Sequence, residues 1–175
     1  MPDLADILQE AIKLEQDGER YYESAANQTL NPLARSTFTS LAEREREHAE
    51  LLRSYCDAVS AGGQCPTREE IDARGYSLMA TAEEIFARAK EELGETSVLP
   101  EELRDVYEEA MEMERRSIRL YEEQAEAAEI EEHAEFFRYL VAQEKGHLLL
   151  LSKGQEYLSD PESWYFDQEQ WGVTG

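Results

Sequence analysis

The sequence predicts an all-α fold, a four-helix bundle of two repeated helical hairpins joined by one long crossover containing a short extra helix. Three observations predict it. Apolar residues recur at helical spacing over four long segments. The one clear break, from Ala61-Gly62-Gly63 to about Met79, gathers glycines with Pro66 and Gly75. The two halves also repeat each other at an offset of 99 residues, pairing Ala11/Ala110, Arg20/Arg119, Tyr22/Tyr121, Ala26/Ala125, Phe38/Phe137, Leu41/Leu140 and Leu51/Leu150.

The first helix is expected from Asp3, its cap, to about Asn27. Leu4, Ile7, Leu8, Ala11, Leu14, Gly18, Tyr21, Tyr22 and Ala25 fall on one face. Asn31-Pro32 reads as a cap followed by a first-turn proline, opening a second helix that lasts to about Ser60. Phe38, Leu41, Ala42, His48, Leu52 and Cys56 keep the helical period there. So short a link makes the two helices antiparallel neighbours. Thr81-x-x-Glu84 is a capping box for a shorter helix ending at Gly94. Pro100 opens the third long helix, to about Ala128. The fourth runs from about Glu131 to Ser159, where Asp160-Pro161 stops it, and Gly154 weakens its last turns.

One domain is therefore expected over 1–160, with hairpins at about 3–60 and 100–159 and the crossover at about 61–99. The remaining 161–175 form a tail whose Trp164, Tyr165, Phe166 and Trp171 should dock on the bundle or on a neighbouring subunit. The connection of roughly 40 residues can cross the bundle and start again from the same end. It is also long enough for hairpins to be exchanged between subunits, and a homodimer or higher homo-oligomer is expected.

Composition sets the exclusions. With 40 Asp and Glu against 17 Lys and Arg, the 175-residue chain has a formal charge of −23. Such a surface repels nucleic acid and anionic membranes, so neither is an expected partner. The longest apolar run, Leu148 to Leu151, is far too short to span a bilayer. No signal peptide is expected, and Cys56 and Cys65, spaced as neither a zinc knuckle nor a redox pair, fit two thiols in a reducing cytoplasm, with a local disulfide between them as the alternative.

The repeat carries chemistry as well as packing. Glu15 lies 30 residues before Glu45-x-x-His48, and Glu114 lies 30 before Glu144-x-x-His147. Residues three apart on a helix share a face, so each Glu-x-x-His pair can address one point. Carboxylate oxygen and imidazole nitrogen suit Fe(II) or Mn(II). A carboxylate can bridge two metals and an imidazole cannot, so a two-metal site needs more Glu than His. In a chain this acidic a glutamate at any chosen position says little, and alone it is usually a solvated residue. The histidines carry the information: there are only three, and two fall in register. Glu15 and Glu114 also sit on apolar faces, where a carboxylate must be paired or bind a metal. One Glu from each of two helices plus Glu-x-x-His from two others is the ligand set of di-iron carboxylate bundles.

Over about residues 5 to 159 the chain resembles the ferritin-like superfamily, and specifically the di-iron domain of rubrerythrins. The resemblance is carried by Ala11 through Tyr22, Glu45-Arg-Glu-His48, Met113-Glu114 through Tyr121, and Glu144-Lys-Gly-His147. It implies a ferritin-like bundle with two Fe ions, or Mn or Zn as bound. Glu45 and Glu144 would bridge them, Glu15 and Glu114 would be terminal ligands, and His48 and His147 would serve one ion each. Ser117 stands where rubrerythrins usually carry an extra Glu, so the redox-linked ligand exchange of that carboxylate has no counterpart residue here. The four cysteines of a rubredoxin module are absent, which implies a separate electron-donor protein.

Tyr22 and Tyr121 occupy one position of the repeat. They either donate hydrogen bonds to a ligand carboxylate and relay electrons, or simply fill the core. His133 is expected at the surface, Glu19, Glu23 and Glu122 exposed, and Met111 and Met113 in packing. The leading expectation is an oxidoreductase that reduces peroxide or reacts with dioxygen, its catalytic residues unassigned beyond the metal ligands. Ferroxidation with iron storage or delivery, a di-iron hydroxylase and a purely structural bundle are the alternatives.

Overall fold

A computed structural model describes residues 4–61 and 101–160, and among these the chain is four α-helices without a strand. They are α1 (Leu4–Gln28), α2 (Pro32–Ser60), α3 (Glu101–Ala127) and α4 (Glu131–Ser159). The expected bounds of α2 and α4 hold, and the expected ends of α1 and α3 hold to within a residue, while the starts of α1 and α3 coincide with the first described residues. The Asp3 cap, Pro100, the break from Gly62 onward, the capping box at Thr81, Cys65 and the aromatic tail lie outside the described residues.

The α2 start is built as the sequence implies. Asn31 Oδ1 accepts from the Ala34 N–H at 3.0 Å, and Pro32 occupies a first-turn position that needs no donor. Three-residue links then fold α1 against α2 and α3 against α4. The buried stripe of α1 differs in detail from the expected one, because Ile12 and Ala26 are buried while Leu14 and Tyr21 are only partly so.

One expectation is corrected. The second hairpin does not start from the same end as the first. Tyr22 of α1 reaches Glu114 of α3 while Tyr121 of α3 reaches Glu15 of α1, so these helices are antiparallel. The contacts of α2 with α4 reverse in the same way, from Tyr55 on Phe136 to His48 and Glu45 on Glu144 and His147. Every helix is thus antiparallel to both neighbours, and the repeats are related by a two-fold axis across the bundle.

Two apolar layers flank that axis. One packs Tyr22, Phe38 and Leu41 with Tyr107, Leu150 and Leu151. The other packs Leu8, Leu52 and Tyr55 with Tyr121, Phe136 and Phe137. Between them lie the buried polar residues Glu15, Glu45, His48, Glu114, Glu144 and His147. No described helix is long and apolar enough to cross a membrane.

Candidate metal centre

All six residues singled out by spacing meet in this central layer, none more than 5% exposed. Each comes from the middle of its helix, where the backbone hydrogen bonds are satisfied internally and only side chains remain to interact. One ligand atom from each of Glu45, His48, Glu144 and His147 lies within 4.8 Å of the other three. The two imidazoles stack with centroids 5.1 Å apart and planes 15° apart.

The carboxylates divide into two kinds by what they touch. Glu144 Oε1 lies 2.9 Å from His48 Nδ1, and its Oε2 lies 3.1 Å from His147 Nδ1. Glu45 likewise turns Oε1 to His147 at 3.1 Å and Oε2 to His48 at 3.9 Å. Glu15 faces only His48, at 3.4 Å, and Glu114 only His147, at 3.6 Å. Two carboxylates therefore span both histidines and two attend one each.

The outer pair is held from the opposite repeat. The Tyr22 hydroxyl donates to Glu114 Oε1, and the Tyr121 hydroxyl donates to Glu15 Oε1. Spacing leaves these tyrosines open between core packing and a carboxylate contact; they do both, being fully buried as well. Burial, and then the neighbouring carboxylates, push both phenol pKa values up, so they remain donors. Gly18 is the close approach that admits Glu45: a Cβ there would stand 3.3 Å from Glu45 Cγ. Spacing puts Gly18 on the apolar face of α1 but does not name this contact.

Four carboxylates in an apolar bundle cannot all ionise without cations. Burial raises Glu45 well above the carboxylate range, with Glu15, Glu144 and Glu114 adding to it. Burial also raises Glu114, to about 8, despite His147 beside it. Burial would raise Glu144 too, but His48 and His147 overcome it and hold that carboxyl well below its usual range. The same pairing overrides burial at the imidazoles, holding His48 up at about 9 and raising His147. Protons thus do the work that cations would otherwise do.

The donor set fits two divalent ions. Glu144 Oε1 and Oε2, Glu15 Oε2, His48 Nδ1 and both nitrogens of His147 are buried without a well-aligned hydrogen bond. Buried polar atoms are rarely left so, and all of these except His147 Nε2 lie within 3.4 Å of another of the set. Four carboxylates would neutralise two divalent ions, with one imidazole for each.

Other residues fall outside the centre. His133 is partly exposed and outside the centre, and it meets Tyr55 edge-on with centroids 5.9 Å apart. Glu19 is partly covered because it accepts from Arg46 Nε at 2.6 Å, whereas Glu23 and Glu122 are exposed. Met111 is buried and Met113 partly so. Cys56 is a buried free thiol. Ser117 is buried one turn from Glu114, its hydroxyl donating to the Met113 carbonyl at 3.5 Å.

An antiparallel bundle with a buried Glu/His cluster at its two-fold axis defines the ferritin-like class, built to hold metal between its helices. Within that class the chain belongs to the rubrerythrin family, whose sequence model, described as Rubrerythrin, matches residues 6–154. No match was found among curated proteins or among solved structures.

Proposed function

We propose that the protein is a non-haem di-metal oxidoreductase, using two iron ions to reduce peroxide, or to react with dioxygen, with electrons from a separate donor protein. The observation that carries the reading is the division of the carboxylates. Glu45 and Glu144 each turn one oxygen to each histidine, while Glu15 and Glu114 attend one histidine apiece. In this reading Glu45 and Glu144 would be shared by the two ions, Glu15 and His48 would hold one of them, and Glu114 and His147 would hold the other. Mn or Zn would fit the same donors.

Two bound iron ions would supply the electron pair that cleaves the O–O bond of peroxide. The chain's own part is to hold, to insulate and to keep charge balanced. Tyr22 and Tyr121 fix the orientation of the terminal carboxylates and leave their second oxygens free to bind. The apolar layers on either side exclude bulk water. The carboxyl and imidazole groups that carry protons without metal release them when metal binds. The acidic surface and reducing-compartment cysteine usage are consistent with a cytoplasmic protein.

The test is peroxide consumption by iron-loaded protein with a supplied reductant, expected to disappear in His48→Ala and His147→Ala. A wild type that binds iron but leaves peroxide untouched rules out the peroxidase. Ferroxidation with iron storage or delivery is the second reading. It draws on Ser117, which leaves the centre without the extra carboxylate usual in the family. Storage needs a closed shell, so sedimentation as a dimer contradicts it. A hydroxylase would need a substrate pocket at the metals. One cleft among the described residues, of about 570 Å³, is walled by Ala125, Ala134, Val141 and Lys145 and by none of the six central residues.

A further inference from the structure

Tyr21 is unused by the reading above, and its surroundings are unusual for a packing residue. It follows α1 directly into Tyr22, and the two rings meet edge to face with centroids 5.8 Å apart. Tyr22 is fully buried and its hydroxyl donates to Glu114. Tyr21 is half-buried, and its hydroxyl reaches the Val106 carbonyl oxygen at 3.0 Å and Glu109 Oε2 at 3.2 Å. Glu109 is exposed. An unbroken line of contacts therefore runs from a carboxylate of the centre, through two phenols, to a carboxylate at the surface.

The other repeat has no such line. Leu120 stands where Tyr21 does, and it packs against the apolar layer without a hydroxyl. The ring of Tyr121 stacks instead on Phe137, centroids 6.2 Å apart, and Phe137 meets Phe136. Phenylalanine is far harder to oxidise than a phenol. A leucine satisfies the packing at this position of the fold, so packing alone does not call for a tyrosine in α1.

We propose that Tyr21 is a redox-active residue that delivers single electrons to the metal centre through Tyr22 and is itself re-reduced at the surface by an external one-electron donor. The proposal rests on the reading of the centre as one that reacts with peroxide. Peroxide takes electrons in pairs, and a centre that has already given its own must draw the missing ones from the protein. Tyr21 then loses one electron to the centre. Its O–H bond breaks, and the proton moves along the existing hydrogen bond to form an O–H bond on Glu109. A phenol, ascorbate or a one-electron redox protein returns the electron, and Glu109 returns the proton. Two such passages supply the pair that one peroxide needs: two donor molecules are each oxidised by one electron, the peroxide takes up two protons from solvent and leaves as two waters, and the chain ends unchanged. Burial, with Glu109 beside it, raises the Tyr21 pKa, so the hydroxyl carries its proton until the electron leaves.

The test mixes reduced, iron-loaded protein with excess hydrogen peroxide and no donor, following peroxide loss and freezing samples for electron paramagnetic resonance. Wild type should give a tyrosyl radical that added ascorbate erases. Tyr21→Phe keeps the ring contact and should cut that signal about tenfold or more, with oxidative marks found by mass spectrometry moving to Tyr22. Glu109→Gln keeps an acceptor but cannot take the proton, and should slow radical formation several-fold. An undiminished radical in Tyr21→Phe, or no radical in a wild type that consumes peroxide, overturns the role of Tyr21 and leaves the peroxidase standing. A wild type that holds iron yet consumes no peroxide removes the peroxidase reading, and this proposal with it.

Discussion

The polar centre and the apolar layers beside it answer to different rules. Across the two-fold axis the centre repeats residue for residue: Glu15 with Glu114, Glu45 with Glu144, His48 with His147, Tyr22 with Tyr121. The layers do not. On one side Tyr55 stacks on Phe136 with centroids 3.7 Å apart, and Leu8 is the small partner. The equivalent positions on the other side are Gly154, Thr37 and Tyr107, and there the large ring comes from α3 instead of α2. The Tyr107 hydroxyl fills the space a Gly154 side chain would use, standing 3.0 Å from where its Cβ would be. Apolar volume can be redistributed among helices provided the total is kept. Ligand geometry cannot, because each atom has its own partner.

That contrast can be broken in four ways, beginning with the largest effect. Glu114 at about 8 and His48 at about 9 both hold protons at neutral pH in the metal-free protein. Metal must displace them, so apparent affinity should rise by up to about tenfold per pH unit for each proton released. Calorimetry in buffers of different ionisation heat counts those protons. Without metal the sign reverses. Both groups bind protons more tightly folded than at their ordinary 4.5 and 6.5, so their contribution is full at low pH and is lost as pH climbs toward about 9. A metal-free melting temperature that rises over that window would contradict the assignment.

Next, Phe136→Ala empties the centre of one layer and should cost about 3–5 kcal/mol in denaturant unfolding. Metal content should nonetheless be unchanged, since that ring meets Tyr55 and Phe137 and not the six central residues. Tyr22→Phe and Tyr121→Phe are the reverse case. Each should lower metal affinity by roughly 10–100-fold, and by the same factor if the two-fold governs. Unequal losses in a competition titration would show that the centre is less symmetric than its contacts. The smallest effect is expected from Gly154→Ala, about 1–3 kcal/mol from crowding Tyr107, largely restored by adding Tyr107→Leu. Failure of that rescue would mean the two layers are not interchangeable solutions to one volume.

Much of this was readable from spacing. Helical period and the Asn31-Pro32 cap marked α2, and two of three histidines in register marked the centre. What escaped was whatever depends on contact across repeats. Spacing cannot say that α1 and α3 run antiparallel, so it could not say that Tyr22 serves Glu114 and not its own repeat's Glu15. Gly154 read as a weak point in a helix because its role lies in the partner it admits, a tyrosine 47 residues away in sequence. Propensity and period describe a helix face; they do not name what that face meets.

The central claim is that Glu15, Glu45, His48, Glu114, Glu144 and His147 form one two-metal site with a histidine for each ion. It is tested most directly by elemental analysis of chain reconstituted with Fe(II) and freed of loosely held metal. Wild type should retain about two ions per chain, His48→Ala and His147→Ala about one or fewer each, and the double variant none. Equal iron in wild type and in the double variant, with both folded by circular dichroism, would contradict it.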